Sequence, residues 1–458
     1  MQDGKPRVLS LPRQVLYASG SIAFTLLERM LILHAAFFYL PPEELGLPDL
    51  ISTRTYGGIF TVLGVALLFG RLLDGLADPV IASLSDNSQS PLGRRKSFLL
   101  VSALPLSATS ALVFFPPYFT MSVHNGLWLA LVMGGFYIFF TAYVNPYLSL
   151  ISELGHTDSI RVNLSTFMAF FGLAGVALVT VLFPVLLRNL QDTGLGFRQA
   201  YQAAAAGSAA LCALVLYAAT LAFDEKTHCL LARPPGLGIW QSFRRTLQVR
   251  PFRIFLMGEV FLQYAMNLVT LGLLYYTVVL FRREPHFLTV LSGITLGIAL
   301  LSFPWVNILA KRLGKKRLIT FAVQVLALTM LCLFVLSANL SGMAFYAGLA
   351  LFGVAGVPLA ILTILMNPTI AELARSDALR TGQHREAMFF GVRAIPLKLS
   401  IAAAGVTFGF LLSTFGKDVS SPAGVRLSLL LVSVSSALGY ACFSRYPEKE
   451  VQDLLREH

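Results

Sequence analysis

Twelve runs of mostly apolar residues follow one another along the chain, at roughly 14–40, 56–84, 97–117, 126–151, 162–187, 199–222, 254–281, 288–310, 318–338, 342–370, 387–415 and 425–444. Each is close to the 20 or so residues that a helix needs to cross a bilayer. Only helices and closed barrels satisfy their backbone in lipid, and these runs are too long and too evenly apolar for barrel strands. The pattern predicts an all-α membrane protein with twelve transmembrane helices.

The longest polar connection, 223–253, falls at mid-chain. It predicts a six-helix bundle over 1–222, a cytoplasmic linker over 223–253, and a second six-helix bundle with a short cytoplasmic tail over 254–458. The halves also echo one another. Leu92-Gly93-Arg94-Arg95-Lys96 follows span two, and Leu313-Gly314-Lys315-Lys316-Arg317 follows span eight. A basic turn at the same point of each half suggests two parallel repeats. With the count of twelve and the central loop, it points to the major facilitator architecture.

Composition narrows the class. Of 458 residues 56% are hydrophobic and only 13% charged, with a mean hydropathy of +0.72. A soluble domain carries about twice that charge, so a soluble enzyme, a disordered tail protein and a fibrous repeat are excluded. The net charge of +12 invites a nucleic-acid reading, but position argues against it. An even span number puts both termini on one side. With both in the cytoplasm, cytoplasmic segments hold 24 of the 35 Lys and Arg residues, and outer loops with their span edges hold seven. That excess is the positive-inside signature of a plasma (inner) membrane protein. No short h-region with a small-residue cleavage site is seen, so no removable signal peptide is expected. Cys212, Cys229, Cys332 and Cys442 have no metal-ligand spacing, nor do His34, His286 and His384. No resident cofactor or metal is expected beyond a coupling ion, and the expected state is a monomer.

Ionisable residues inside spans are costly and usually functional. Here they are Glu28, Arg29, Arg71, Asp74, Asp78, Glu259, Arg393 and Lys398. Arg71 and Arg393 could instead snorkel to the interface. Asp74 and Asp78 are too short to do so. They stand at i and i+4, on one helix face with Arg71, and repel unless a cation or proton sits between them. Pro79 lacks an N–H and frees the Gly75 carbonyl. Two carboxylates and a freed carbonyl are the hard oxygens that small cations prefer; a structural Arg–Asp network is the plainer reading.

Arg71-Leu-Leu-Asp74-Gly-Leu-Ala-Asp78-Pro79, followed by Ser85-Asp86 and Gly93-Arg94-Arg95-Lys96, resembles the glycoside–pentoside–hexuronide cation symporters, the group of the melibiose permease. Thr381-Gly382-Gln383-His384-Arg385-Glu386-Ala387-Met388-Phe389-Phe390, leading to Lys398 in span eleven, resembles the same family, as does Arg250-Pro251-Phe252. The resemblance implies that Asp74 and Asp78 bind a coupling sodium ion or proton. Thr141 matches a threonine that helps ligate it, and Lys398 a lysine that couples cation binding to the conformational change. Arg71, on the stripe of the two aspartates, is expected to be a second coupling residue.

The likeness fails where sugars are held. Thr25 and Val144 stand where the melibiose permease carries sugar-binding aspartates, Leu148 and Leu359 replace aromatics, and Ala77 replaces an asparagine. In their place span one offers a stripe of Ser21, Thr25, Glu28 and Arg29. Glu28 and Arg29 are adjacent and cannot pair across a turn, so each needs a partner on another helix or on a ligand. With Glu259, Val144 and Asn145 they form the expected solute pocket, for a charged solute; a structural Glu28–Arg pair is the alternative. Asn145-Pro146 and Pro358 are expected to break spans four and ten. Asp86, Gly93, Arg94, Arg95, Lys315 and Lys316 are expected to form a cytoplasmic gate, against a role in topology alone.

These readings converge on a cation-coupled secondary transporter of a small solute of the sugar or glycoside class. A lysophospholipid-like amphiphile is the alternative, favoured by Val144, Leu148 and Leu359. A non-transporting receptor or scaffold is the rival from another class. An enzyme is not expected, since no soluble segment holds a nucleophile–base pair or a phosphate loop.

Overall fold

The computed structural model describes residues 8–155, 158–229, 246–338, 340–381 and 386–456. All twelve expected spans are helical. Ten are long and apolar enough to cross a membrane: Leu11–Tyr39, Val123–Ile151, Asn163–Asp192, Phe197–Leu221, Arg250–Leu280, Pro285–Val306, Lys315–Leu336, Met343–Thr381, Met388–Phe415 and Ala423–Ser444. The other two are span three, Lys96–Leu112, which is shorter, and span two, Val62–Asp86, whose apolar character is diluted by Arg71, Asp74 and Asp78.

The chain divides into two compact units, Met1–Pro234 and Pro235–His458. Each holds six spans, and the same pairs pack within each. In the first, span one packs on spans five and six, span two on span four, and span three on spans four and six. In the second, span seven packs on eleven and twelve, eight on ten, and nine on ten and twelve. The repeat suggested by two basic turns is a repeat of whole bundles.

Three details differ from the sequence reading. Span two starts at Val62 rather than near 56. Tyr56 and Phe60 pair across Gly57 and Gly58, and Thr61 then caps the helix by accepting from the Gly64 N–H at 3.0 Å. Pro146 does not break span four, which is one helix from Val123 to Leu154; a single missing N–H is tolerated in a membrane helix. Pro358 does coincide with a break, at Ala355 between Met343–Val354 and Gly356–Thr381, because proline cannot donate to the Val354 carbonyl.

The two basic turns are built alike. Gly93 and Gly314 sit at φ +114° and +86°, a region that favours glycine. Each precedes a helix whose first N–H groups lack intrahelical partners. Glu225, beyond span six, accepts from the N–H groups of Arg95 and Lys96, both at 2.9 Å. Glu448, beyond span twelve, accepts from the Lys316 N–H at 2.9 Å. A carboxylate at a helix N-terminus also meets the positive end of its dipole. Glu225→Ala is expected to lower stability by about 1–3 kcal/mol, the cost of orphaning donors to a charged acceptor. Glu448→Ala should cost less, since one donor is engaged; unfolding midpoints in detergent check both.

The charges of these turns pair inside their own bundles. Arg94 and Arg95 reach Glu153 at the end of span four, at 2.6 and 2.9 Å, and Lys315 meets Glu372 of span ten at 2.5 Å. Asp86 is the last residue of span two; its side chain lies outside the described residues, as do residues 382–385 of the motif before span eleven. Cys229 is buried beside this network, and burial pushes its thiol well up from the ordinary range.

Candidate functional site

Asp74 stands near the middle of span two, about 18 Å of helix from either end, and is buried. Asp78, one turn on, is half-buried. Both meet span four, against which span two packs. The Thr141 hydroxyl donates to Asp74 Oδ1 at 2.6 Å and lies 3.4 Å from Asp78 Oδ1. One hydroxyl proton can be directed at only one of them. The amide of Asn145 donates to Asp78 Oδ1 at 2.9 Å. Three oxygens thus converge, two of them carboxylate, and that donor set suits a small hard cation or a proton.

Arg71 is 6% exposed and does not snorkel. Its Nη2 donates to Glu28 Oε1 at 3.0 Å and its Nη1 to Asp74 Oδ2 at 3.4 Å. Its guanidinium lies over the Tyr137 ring, 4.3 Å from the centroid. One arginine therefore links the span-one acid to a carboxylate of the cluster. Glu28 takes the interhelical partner that the alternative reading foresaw. Arg29, next in sequence, is half-buried and points elsewhere. Thr25 packs toward span five, where a Cβ on Gly175 would come within 3.1 Å of it. Val144 is buried.

In the second unit Glu259, expected in the solute pocket, pairs with an arginine of the same unit. Arg393 Nε donates to Glu259 Oε2 at 2.7 Å and its Nη2 to Oε1, while Nη1 donates to Asn367 Oδ1 at 2.9 Å. Spans seven, ten and eleven meet in this group. Arg393 is a paired charge and not an interfacial one. Lys398 lies half-buried in span eleven, five residues beyond Arg393.

The sequence reading passed over Tyr137, Asn367, Glu153 and Glu225, and gave Asn145 to the solute rather than to Asp78. One signal was available. Tyr137, Thr141 and Asn145 stand at i, i+4 and i+8, a single stripe of span four. That stripe faces Arg71, Asp74 and Asp78.

The model of a family described as MFS/sugar transport protein matches residues 16–447. The uncharacterized symporter YnaJ of Bacillus subtilis is 24% identical over 464 residues, covering 98% of this chain and 95% of that protein. The putative sulfoquinovose importer of Escherichia coli is 22% identical over 422 residues, covering 91% and 85%. Among solved structures, the nucleoside transporter NupG superposes with a TM-score of 0.65 at 12% identity, over 96% of this chain and 100% of the other. A bacterial homologue of the human lysosomal transporter Spinster gives 0.65 at 13%, over 98% and 99%. These two share the fold. With a matching region that runs from within span one to just beyond span twelve, the chain belongs to the MFS/sugar transport protein family of membrane transporters.

Proposed function

We propose that the protein is a cation-coupled symporter that moves a small organic solute of the sugar or glycoside class by alternating access. The observation that carries this reading is the convergence of Asp74 and Asp78 on the Thr141 hydroxyl. Two like charges buried together in a membrane helix repel, and a bound sodium ion or proton relieves that repulsion. Asn145 completes the set through Asp78. Arg71 carries the state of Asp74 to Glu28 of span one. Lys398 serves as the second coupling charge, in keeping with the family likeness of its motif. The names of the relatives, a symporter and a sulfoquinovose importer, support coupled transport of a sugar.

The test uses the purified protein in detergent and in proteoliposomes. Sodium added against choline, or a lowered pH, is expected to raise the melting temperature. Saturating a site to about 100 times its Kd stabilises by about 2.7 kcal/mol. The same ion gradient should drive uphill sugar uptake. No thermal shift with sodium, lithium or pH, together with no gradient-driven uptake, would overturn the proposal in favour of a non-transporting membrane protein.

A further inference from the structure

We propose that Arg29 is the counter-ion for an anionic group on the transported solute, a carboxylate, sulfonate or phosphate. This rests on the symporter reading and names its substrate class.

Arg29 lies ten residues from the Tyr39 end of span one, about 15 Å of helix. A guanidinium at that depth is expensive to leave uncompensated. The acids of its own unit are engaged elsewhere. Glu28, adjacent in sequence, points about 100° away around the helix and binds Arg71 at 3.0 Å. Asp74 meets Arg71 and Thr141, and Asp78 meets Asn145. Arg29 Nε is buried with no hydrogen-bond partner, and among the described residues no carboxylate pairs with its guanidinium.

The other intramembrane arginines show what a guanidinium satisfied by the protein itself looks like. Arg71 has two carboxylates and a ring; Arg393 has a two-pronged carboxylate and an amide. Arg29 has neither, and it is half-buried, so that a small molecule can reach it. A guanidinium fork binds carboxylate, sulfonate and phosphate oxygens in pairs and gains little from sugar hydroxyls. The first unit thus separates two charges by the turn between residues 28 and 29: a carboxylate cluster for the cation, and a guanidinium for the anion that travels with it.

Two matched pairs of probes test this by binding to the purified protein in saturating sodium at low pH buffer strength. Methyl glucuronide is set against methyl glucoside, which differ in one carboxylate. Lysophosphatidylglycerol is set against monoacylglycerol, which lacks its anionic phosphoglycerol headgroup. At least one anion should bind at least about tenfold more tightly than its neutral partner, and the pair that does so tells a sugar acid from a lipid headgroup. Arg29→Gln should weaken that anion at least about tenfold, as expected for loss of a charge-assisted hydrogen bond, and Arg29→Lys should restore part of it. Cation-induced melting shifts of each variant show that it is folded. Equal binding within both pairs, binding of neither anion, or an Arg29→Gln effect that is the same for anion and neutral partner overturns the inference. If the wild type shows its cation shift in those cases, this inference alone has failed; if the cation shift is missing too, the symporter reading has failed with it.

Discussion

Asp78→Asn is expected to abolish the cation-dependent rise in melting temperature while raising the melting temperature measured without the cation. The two carboxylate oxygens that share Thr141 lie within about 6 Å of each other. At an effective dielectric of about 20, unit charges at that distance repel by about 3 kcal/mol. Asparagine has the shape of aspartate and keeps an oxygen for the Asn145 amide, so the exchange leaves no buried donor orphaned. It removes the repulsion and the charge that a cation would answer. In proteoliposomes, solute should then equilibrate without accumulating. Asp74→Asn should also lose the cation shift, and it weakens the contact with Arg71. Melting curves of both variants with and without sodium, and across pH, check the pair of expectations. An Asp78→Asn protein that retains the full cation shift would remove Asp78 from the site.

The span pattern was legible because lipid imposes a length and an apolar content on each helix, and ten of the twelve runs met both. The ends were less so. Residues 56–61 are apolar enough to extend span two, yet Gly57 and Gly58 turn the chain back on itself there. The carboxylates were legible because aspartate cannot reach the interface from mid-helix. Thr141 was reached only through the family likeness and Asn145 was given to the solute, since a span-four threonine or asparagine is cheap to place in a membrane helix and carries no hydropathy signal. Arg71 and Arg393 were ambiguous for a related reason. A long cationic side chain can either snorkel or pair, and only the neighbouring helix decides. Glu225 was invisible for a third reason: its partners are backbone N–H groups, which no residue identity reveals.

Breaking the Glu259–Arg393 pair should be strongly destabilising to the second unit. Glu259 is 4% exposed, and its carboxylate takes two of the three donor contacts that Arg393 makes. Glu259→Met leaves a guanidinium with one amide oxygen, and Arg393→Met leaves a buried carboxylate with none. Removing one partner of a buried pair costs about 3–5 kcal/mol. Removing both is different, because the attraction and the desolvation penalty leave together. The Glu259→Met/Arg393→Met double variant should therefore return to within about 1 kcal/mol of the wild type. Unfolding in mixed micelles gives all four stabilities and closes the cycle. A double variant as unstable as either single one would mean that the charges hold the spans together through something other than each other. Arg393 lies five residues before Lys398 on span eleven, so the bond to span seven holds the segment that carries the lysine. If that hold guides coupling, the stable double variant should still bind solute and cation while moving them less tightly together.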